Sequence, residues 1–442
     1  MKVIVIGGGF GGLAAAHHLL RSGAQVSLYE AADELGGQAS TFALGGSRLE
    51  RFYHHLFNTD RDIIGLLNEV GLGKLLMWLP SRNGMYYDGR IYTMTPIDLL
   101  LRFKPLSFFD RVRLGFLLLY LQRQRQWEHF EKVTAEDWVR RYGGERILEV
   151  VWGPLLRGKF GERSSEVSMA WLWNKIHLRA QSRGKGMQEE RLGYVDGSFQ
   201  VLIDALENSI QQRGGDIYRS AAVERVLIED GRALGVEAVV GGTSRQDHAG
   251  VVVAAVPPSA FLKLAPGLPA DYVERLGRVR YQAVQCLNLV LKRSISPIYW
   301  LSIADPSMPF VAVIEHTNFI SPEAYGGKRF AYLSSYLSPD RPIYHLSQDE
   351  LLLEYLPHLR QINPHFGPDW IEDVRLFRDL AGQPIITRGY SGQLPPHDTP
   401  IRGLYLANTS QIYPEDRGTN YSVRLGLRVA QMVLNQGHRQ AG

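Results

Sequence analysis

A glycine-dense turn near the start of the chain limits its fold more than any other feature. Residues 3–30 read VIVIGGGFGGLAAAHHLLRSGAQVSLYE. Residues 2–6, KVIVI, read as a short buried parallel strand. Gly11 to Ser22 carry small and apolar residues at helical spacing, and Gly23 is placed to end that helix. Between strand and helix lie Gly7, Gly9 and Gly12 in the G-x-G-x-x-G arrangement, with Phe10 and Gly11 inside it. A second strand, Gln25 to Tyr29, ends at the acidic Glu30, eighteen positions after Gly12. That succession predicts a dinucleotide-binding βαβ unit, whereas a bare tight turn accounts only for the glycines. The glycines let the backbone approach a pyrophosphate at the helix N-terminus, and Glu30 accepts hydrogen bonds from a ribose diol.

The rest of the chain bounds the context. With 442 residues it predicts two or three structural units, and 45% hydrophobic with 21% charged residues is ordinary globular composition. A net charge of +4 without a general basic surface argues against nucleic acid as a partner. The lone Cys286 excludes an internal disulfide and multi-cysteine metal sites, and fits a reducing, cytoplasmic setting. The first strand begins at residue 2, so no secretory signal is expected, and the longest apolar run, Leu114 to Leu121, is too short to span a bilayer. No phosphate loop of the G-x-x-x-x-G-K-S/T kind, no H-E-x-x-H and no G-x-S-x-G is present, and no metal site is expected.

Residues 30–41, EAADELGGQAST, place a second glycine pair just after Glu30. Here the chain resembles the flavoprotein superfamily of amine oxidases, protoporphyrinogen oxidases, carotenoid desaturases and UDP-galactopyranose mutases. In that superfamily an apolar-x-G-G-R-x-x-S/T motif runs beside FAD. Leu35, Gly36, Gly37 and Thr41 match it, with Gln38 where the family usually has arginine. The resemblance extends to residues 219–242 and 249–264, where it places Val223 near the adenine. It extends also to GLYLANTSQIYPEDRGTNYSVRLGLRVAQMVL, where it sets Gly418, Thr419 and Asn420 against the flavin at the N-terminus of a last helix. Asn408 and Thr409 replace the family's Gly-Asp or Gly-Glu.

The resemblance implies an α/β architecture: a Rossmann-type FAD domain from residues 1–80, 190–262 and 385–442, and an inserted substrate domain from 81–189 and 263–384. Residues 97–190 read as a helical lobe and 275–345 as an antiparallel sheet. The cofactor it implies is FAD. The reaction it implies is oxidation of a small organic molecule, bulky or apolar, by hydride transfer, with oxygen, a quinone or another compound as electron acceptor.

Candidate catalytic residues are His55, Glu315 and Tyr421. His55 lies in HHLFNT, which resembles the H-x-F-H-T run of the mutases, and Glu315 in PFVAVIEHTNF, which resembles their P-Y-T-R-I-I-E-H stretch with Ala312 replacing arginine. These two stretches keep open a non-redox sugar-nucleotide mutase, which needs cationic and tyrosine contacts to a diphosphate. A non-catalytic flavin relay is the third reading. His54 and His55 also read as plain pocket-wall residues, and adjacent Glu315 and His316 would face opposite sides of a strand. Gln285 falls where amine oxidases keep a lysine near the flavin, with Lys292 the nearest lysine. Trp152, Trp171 and Trp173 read as packing residues. Residues 100–126 mix Arg102, Lys104, Arg111, Arg113, Arg123 and Arg125 with Leu and Phe. They read as a peripheral membrane contact or, more plainly, as a helix with one core face and one solvated basic face.

Overall fold

The computed structural model describes residues 1–182 and 190–441. Residues 183–189, at the end of the expected helical lobe, lie outside them. Five helices orient the description: α1 (Phe10–Arg21), α2 (Arg61–Glu69), α3 (Phe108–Arg123), α4 (Met169–Ser182) and α5 (Thr419–Ala441).

The apolar run at the start becomes the central strand, Lys2–Ile6, of a five-stranded parallel sheet. Its neighbours are Val251–Ala254, then Leu404–Leu406, on one side and Gln25–Tyr29, then Asp216–Tyr218, on the other. Side chains alternate along a strand. Val3 and Val5 accordingly enter the core that α1 and α5 share, while Ile4 and Ile6 face a second core. That second core is closed by a three-stranded antiparallel sheet of Ala221–Glu229, Arg232–Val240 and Thr243–His248. Both faces of the parallel sheet are thus covered, which is why its strands are mostly apolar, with Lys2, Gln25 and Asp216 at strand ends. Gly23 ends α1 at φ +84°.

A seven-stranded sheet stands beside this unit, in the order Ile371–Pro384, Tyr281–Leu291, Arg329–Leu337, Ala312–Glu315, Trp300–Ile303, Asn83–Tyr87, Arg90–Thr93. The expected antiparallel sheet over 275–345 differs in two respects. Trp300–Ile303 pairs with Asn83–Tyr87 in parallel, and the edges come from 83–93 and 371–384. Those edge strands are half-buried and mixed in polarity, so their alternation is weak in the sequence. Residues 96–182 form the helices of a separate lobe around Trp171, Phe160 and Phe130, and the three tryptophans pack within or against its core. No helix among the described residues is long and apolar enough to cross a membrane.

Candidate flavin site

The strand Lys2–Ile6 delivers its chain through Gly7 and Gly8 into the N-terminus of α1, where Gly9 is the N-cap without a side-chain cap. Gly9 has φ −72°, which any residue adopts, and beyond its chain neighbours the nearest described atom to a Cβ built there is the Gly37 Cα, at 3.9 Å. Neither backbone nor packing requires glycine at this position. Gly12 is the opposite case: a Cβ there would lie 1.9 Å from the carbonyl oxygen of Gly7. It seals helix to strand.

The second glycine pair docks on the first. The Gly36 N–H donates to the Gly8 oxygen at 2.8 Å, and a Cβ on Gly37 would press on the Gly9 Cα at 3.2 Å. Glu30 holds the two turns together: one carboxylate oxygen accepts from the Gly8 N–H at 2.6 Å, the other from the Ala32 N–H at 2.9 Å. Each oxygen keeps a second lone pair for a diol. Ala221 donates its N–H to the backbone carbonyl of Glu30, which brings the half-buried Val223, two residues on, to the same end of the sheet.

The segment before α5 closes the arrangement. Gly418 precedes the helix with only Tyr421 within contact distance of a built Cβ, at 3.7 Å, and Thr419 begins the first turn. Asn420 accepts from the N–H groups of Asp62 and Ile63 and so caps α2. Its Nδ2, the Nδ2 of Asn408 and the Nε of Arg417 are buried donors with no acceptor among the described residues. Buried donors are normally paired. A ligand rich in acceptor oxygens, with phosphates, hydroxyls and ring carbonyls, fits this set.

A charged cluster that sequence reasoning missed sits at this junction. The Asp416 carboxylate accepts from Trp171 Nε1 at 3.0 Å and Gln383 Nε2 at 2.9 Å and pairs with Lys175 at 2.5 Å, with Lys159 at 3.8 Å. Burial pushes the carboxyl up, but Lys175 and Lys159 outweigh it and hold it well below the ordinary carboxylate range. Arg417 donates to Gln38 Oε1 and to the Tyr336 hydroxyl, both at 2.9 Å. The position where the family keeps an arginine thus receives a guanidinium from elsewhere in the chain. Tyr336 also bonds the Tyr53 hydroxyl at 2.9 Å, and Lys159 lies 4.6 Å from its ring centre. Burial would raise the Tyr336 phenol, yet Lys159 and Arg417 bring it below its ordinary value. The only local signal was EDRGTN, opposite charges ahead of a helix start. Nothing in spacing links it to Lys159 or Tyr336.

The other predicted residues fall in several places. His55 Nδ1 meets the Tyr299 hydroxyl at 3.1 Å, and its ring stands edge-on to Phe57 and Trp300. Burial lowers His55 to about 3 and His54 to about 4, so both are neutral at physiological pH. Glu315 is 2% exposed and accepts from the N–H groups of Ile295 and Ser296 and from the Ser296 hydroxyl. These bonds staple the turn at 295–296 and occupy both carboxylate oxygens. His316 faces the other way, to the Tyr325 hydroxyl. Tyr421 lies under Arg424, which pairs with Asp62 and Glu415, and not in the Tyr336 cluster. Thr41 is fully buried and receives Arg48 Nε at 2.7 Å, so its hydroxyl serves the protein interior. The Phe10 ring packs against Phe199, leaving only its backbone to face the turn, and Gly11 borders the Ser422 oxygen on α5. Gln285 is sealed in its sheet, accepting from Arg378 Nε. Lys292 donates to the Asp369 oxygen, and the lysines at this junction are Lys159 and Lys175.

A family model for flavin containing amine oxidoreductases matches residues 10–434. The chain belongs to this family. Its cofactor is FAD, and the glycine turns, Glu30 and the unpaired donors of Asn408, Arg417 and Asn420 fit that group. Over 286 residues the chain is 26% identical to AofH of Mycobacterium tuberculosis, named for a flavin-containing monoamine oxidase; the match covers 62% of this chain and 61% of AofH. It is 23% identical to human protoporphyrinogen oxidase, over 73% of this chain and 74% of that one. With the 15-cis-phytoene desaturase of Solanum lycopersicum it shares 23% identity, over 62% of this chain but only 49% of the desaturase. An oxidoreductase from Methanosarcina mazei superposes at a TM-score of 0.77, 22% identical, covering 98% of this chain and all of that one. Reduced UDP-galactopyranose mutase superposes at 0.74 and 16%, covering 98% and 94%. These structural likenesses show the shared fold.

Proposed function

We propose that this protein oxidises a bulky, largely apolar organic molecule, with residues 1–80, 190–262 and 385–442 holding FAD and residues 81–189 and 263–384 covering the substrate. Bound FAD supplies the two-electron, hydride-accepting chemistry. The observation that carries the reading is the wall around His55: Phe57, Tyr299 and Trp300 surround a neutral imidazole, with no carboxylate among them. Such a wall positions and desolvates an apolar substrate and leaves the electron chemistry to the cofactor. Gly9, Gly37 and Gly418 leave the backbone open to the pyrophosphate and the ring. With FAD bound, the positive end of α5 and the Arg417 guanidinium would favour negative charge on it. Tyr336, between Lys159 and Arg417, is placed to hold or release a proton.

Relatives named for monoamine, phytoene and protoporphyrinogen chemistry support the class and leave the substrate open among amines, polyenes and porphyrinogens. Anaerobic titration of the oxidised holoprotein with members of these three groups tests the reading. Loss of the flavin absorbance with one of them is the expected result. One observation favours the mutase as a second reading: Lys159, Lys175 and Arg417 gather near Tyr336 and Tyr53, the contacts a diphosphate requires. Tight UDP-sugar binding by the reduced protein, with no bleaching by any of the three groups, would favour it.

A further inference from the structure

A helix on a protein surface normally turns its apolar residues inward. On α3, Leu114 and Leu121 do so, yet the opposite face bares Phe109 at 83% exposure and Phe116 at 70%, with Leu119 and Tyr120 at 46% each. Residues 109, 116 and 120 share one side of a helix. Phe108 and Leu101 carry the patch to the helix start and to the end of the short helix Pro96–Leu101 before it, and the exposed phenylalanines of the described residues are all here. The expected solvated basic face therefore carries large apolar side chains as well.

The charges around the patch are one-sided. Residues 100–126 hold six cations and a single acid, Asp110, which bonds the Ser107 hydroxyl at the start of α3. Arg102 pairs with Asp98, and Arg111 and Arg113 turn to the carbonyls of Ser107 and Tyr142. Lys104, Arg123 and Arg125 form no ion pair among the described residues.

We infer that α3 and the turn before it dock on the headgroup layer of an anionic lipid membrane. Such a surface matches both halves of the observation: an apolar layer for Phe109 and Phe116, and negative charge for the unpaired cations. A second copy of this chain satisfies only the first half, because face-to-face pairing would set the unpaired Lys104, Arg123 and Arg125 against like charges. The placement also serves the site. α3 packs on α4, and α4 carries Trp171 and Lys175 to Asp416, so one helix separates the docking face from the charged junction.

The test is co-sedimentation of the full-length holoprotein with phosphatidylcholine vesicles, with and without phosphatidylglycerol, at low and high salt. Two double variants accompany it, F109S/F116S and R123E/R125E, with the flavin spectrum and melting temperature as controls for folding. The expected result is binding to the anionic vesicles at low salt, weakened at least about tenfold in each variant while spectrum and melting temperature hold. No binding to anionic vesicles, or undiminished binding by both variants, overturns the inference. So does light scattering that shows a dimer lost in F109S/F116S with no vesicle binding, which would assign the face to a second copy.

Discussion

Gly9 separates a glycine kept for a ligand from one kept for the fold. A Cβ there meets no described atom nearer than 3.9 Å outside its chain neighbours, and the backbone already lies at φ −72°. Replacing glycine by alanine or valine at an N-cap costs the fold under about 1 kcal/mol. The added carbon instead stands where a pyrophosphate must approach the first N–H groups of α1. Losing two charge-assisted hydrogen bonds of roughly 1.5–3 kcal/mol each removes roughly 3–6 kcal/mol of binding. At about 1.4 kcal/mol per tenfold, flavin affinity falls by roughly two to four powers of ten. The assay is the flavin-to-protein ratio after purification, together with thermal unfolding of the apo forms. Gly9→Val is expected to yield a folded apoprotein that melts with wild-type apoprotein and retains little FAD. Gly12→Ala, whose Cβ would lie 1.9 Å from a carbonyl oxygen, is expected to lose stability first. Full flavin occupancy in Gly9→Val, or collapse of its apo form, would refute the reasoning.

Three further outcomes follow from the buried groups. Lys159→Met removes a cation that holds the Tyr336 phenol down, so that phenol should titrate at higher pH. An ultraviolet tyrosinate titration reads the shift, and an unchanged first-titrating tyrosine would count against it. Burial pushes the Glu50 carboxyl up to about 7 from 4.5, so its stabilising share is present below pH 4.5 and fades as pH rises through 7. Glu50→Gln should remove that loss, worth up to about 3 kcal/mol, and urea unfolding at pH 5 and pH 8 should show wild type losing more than the variant. His55, lowered to about 3, does not titrate between pH 5 and 9. A kinetic limb near pH 6.5 that disappears in His55→Phe would contradict this.

What the sequence made legible was local. The succession from Lys2 to Glu30 defines a βαβ unit because strand, turn, helix and acid are adjacent in the chain, and the second glycine pair follows within ten residues. The junction at Tyr336 was not legible. Its members lie at positions 38, 53, 159, 336 and 417, and only the folded sheets bring them together. Glu315 sits in a motif-like run, and its partners, Ile295 and Ser296, are a turn twenty residues earlier that no spacing reveals. The outer face of α3 was not legible for another reason. Leucine and phenylalanine occupy both sides of that helix, so periodicity gave no direction, and exposure alone separates Leu114 from Phe116.

The central claim is that this chain uses its flavin for net oxidation. Stopped-flow reoxidation tests it most directly: the holoprotein is photoreduced without oxygen, then mixed with aerated buffer or with a soluble quinone, and the flavin absorbance is followed. The account predicts full recovery with at least one of the two acceptors on the timescale of enzyme turnover. A flavin that stays reduced for minutes against both would contradict it and point to the non-redox use of the cofactor.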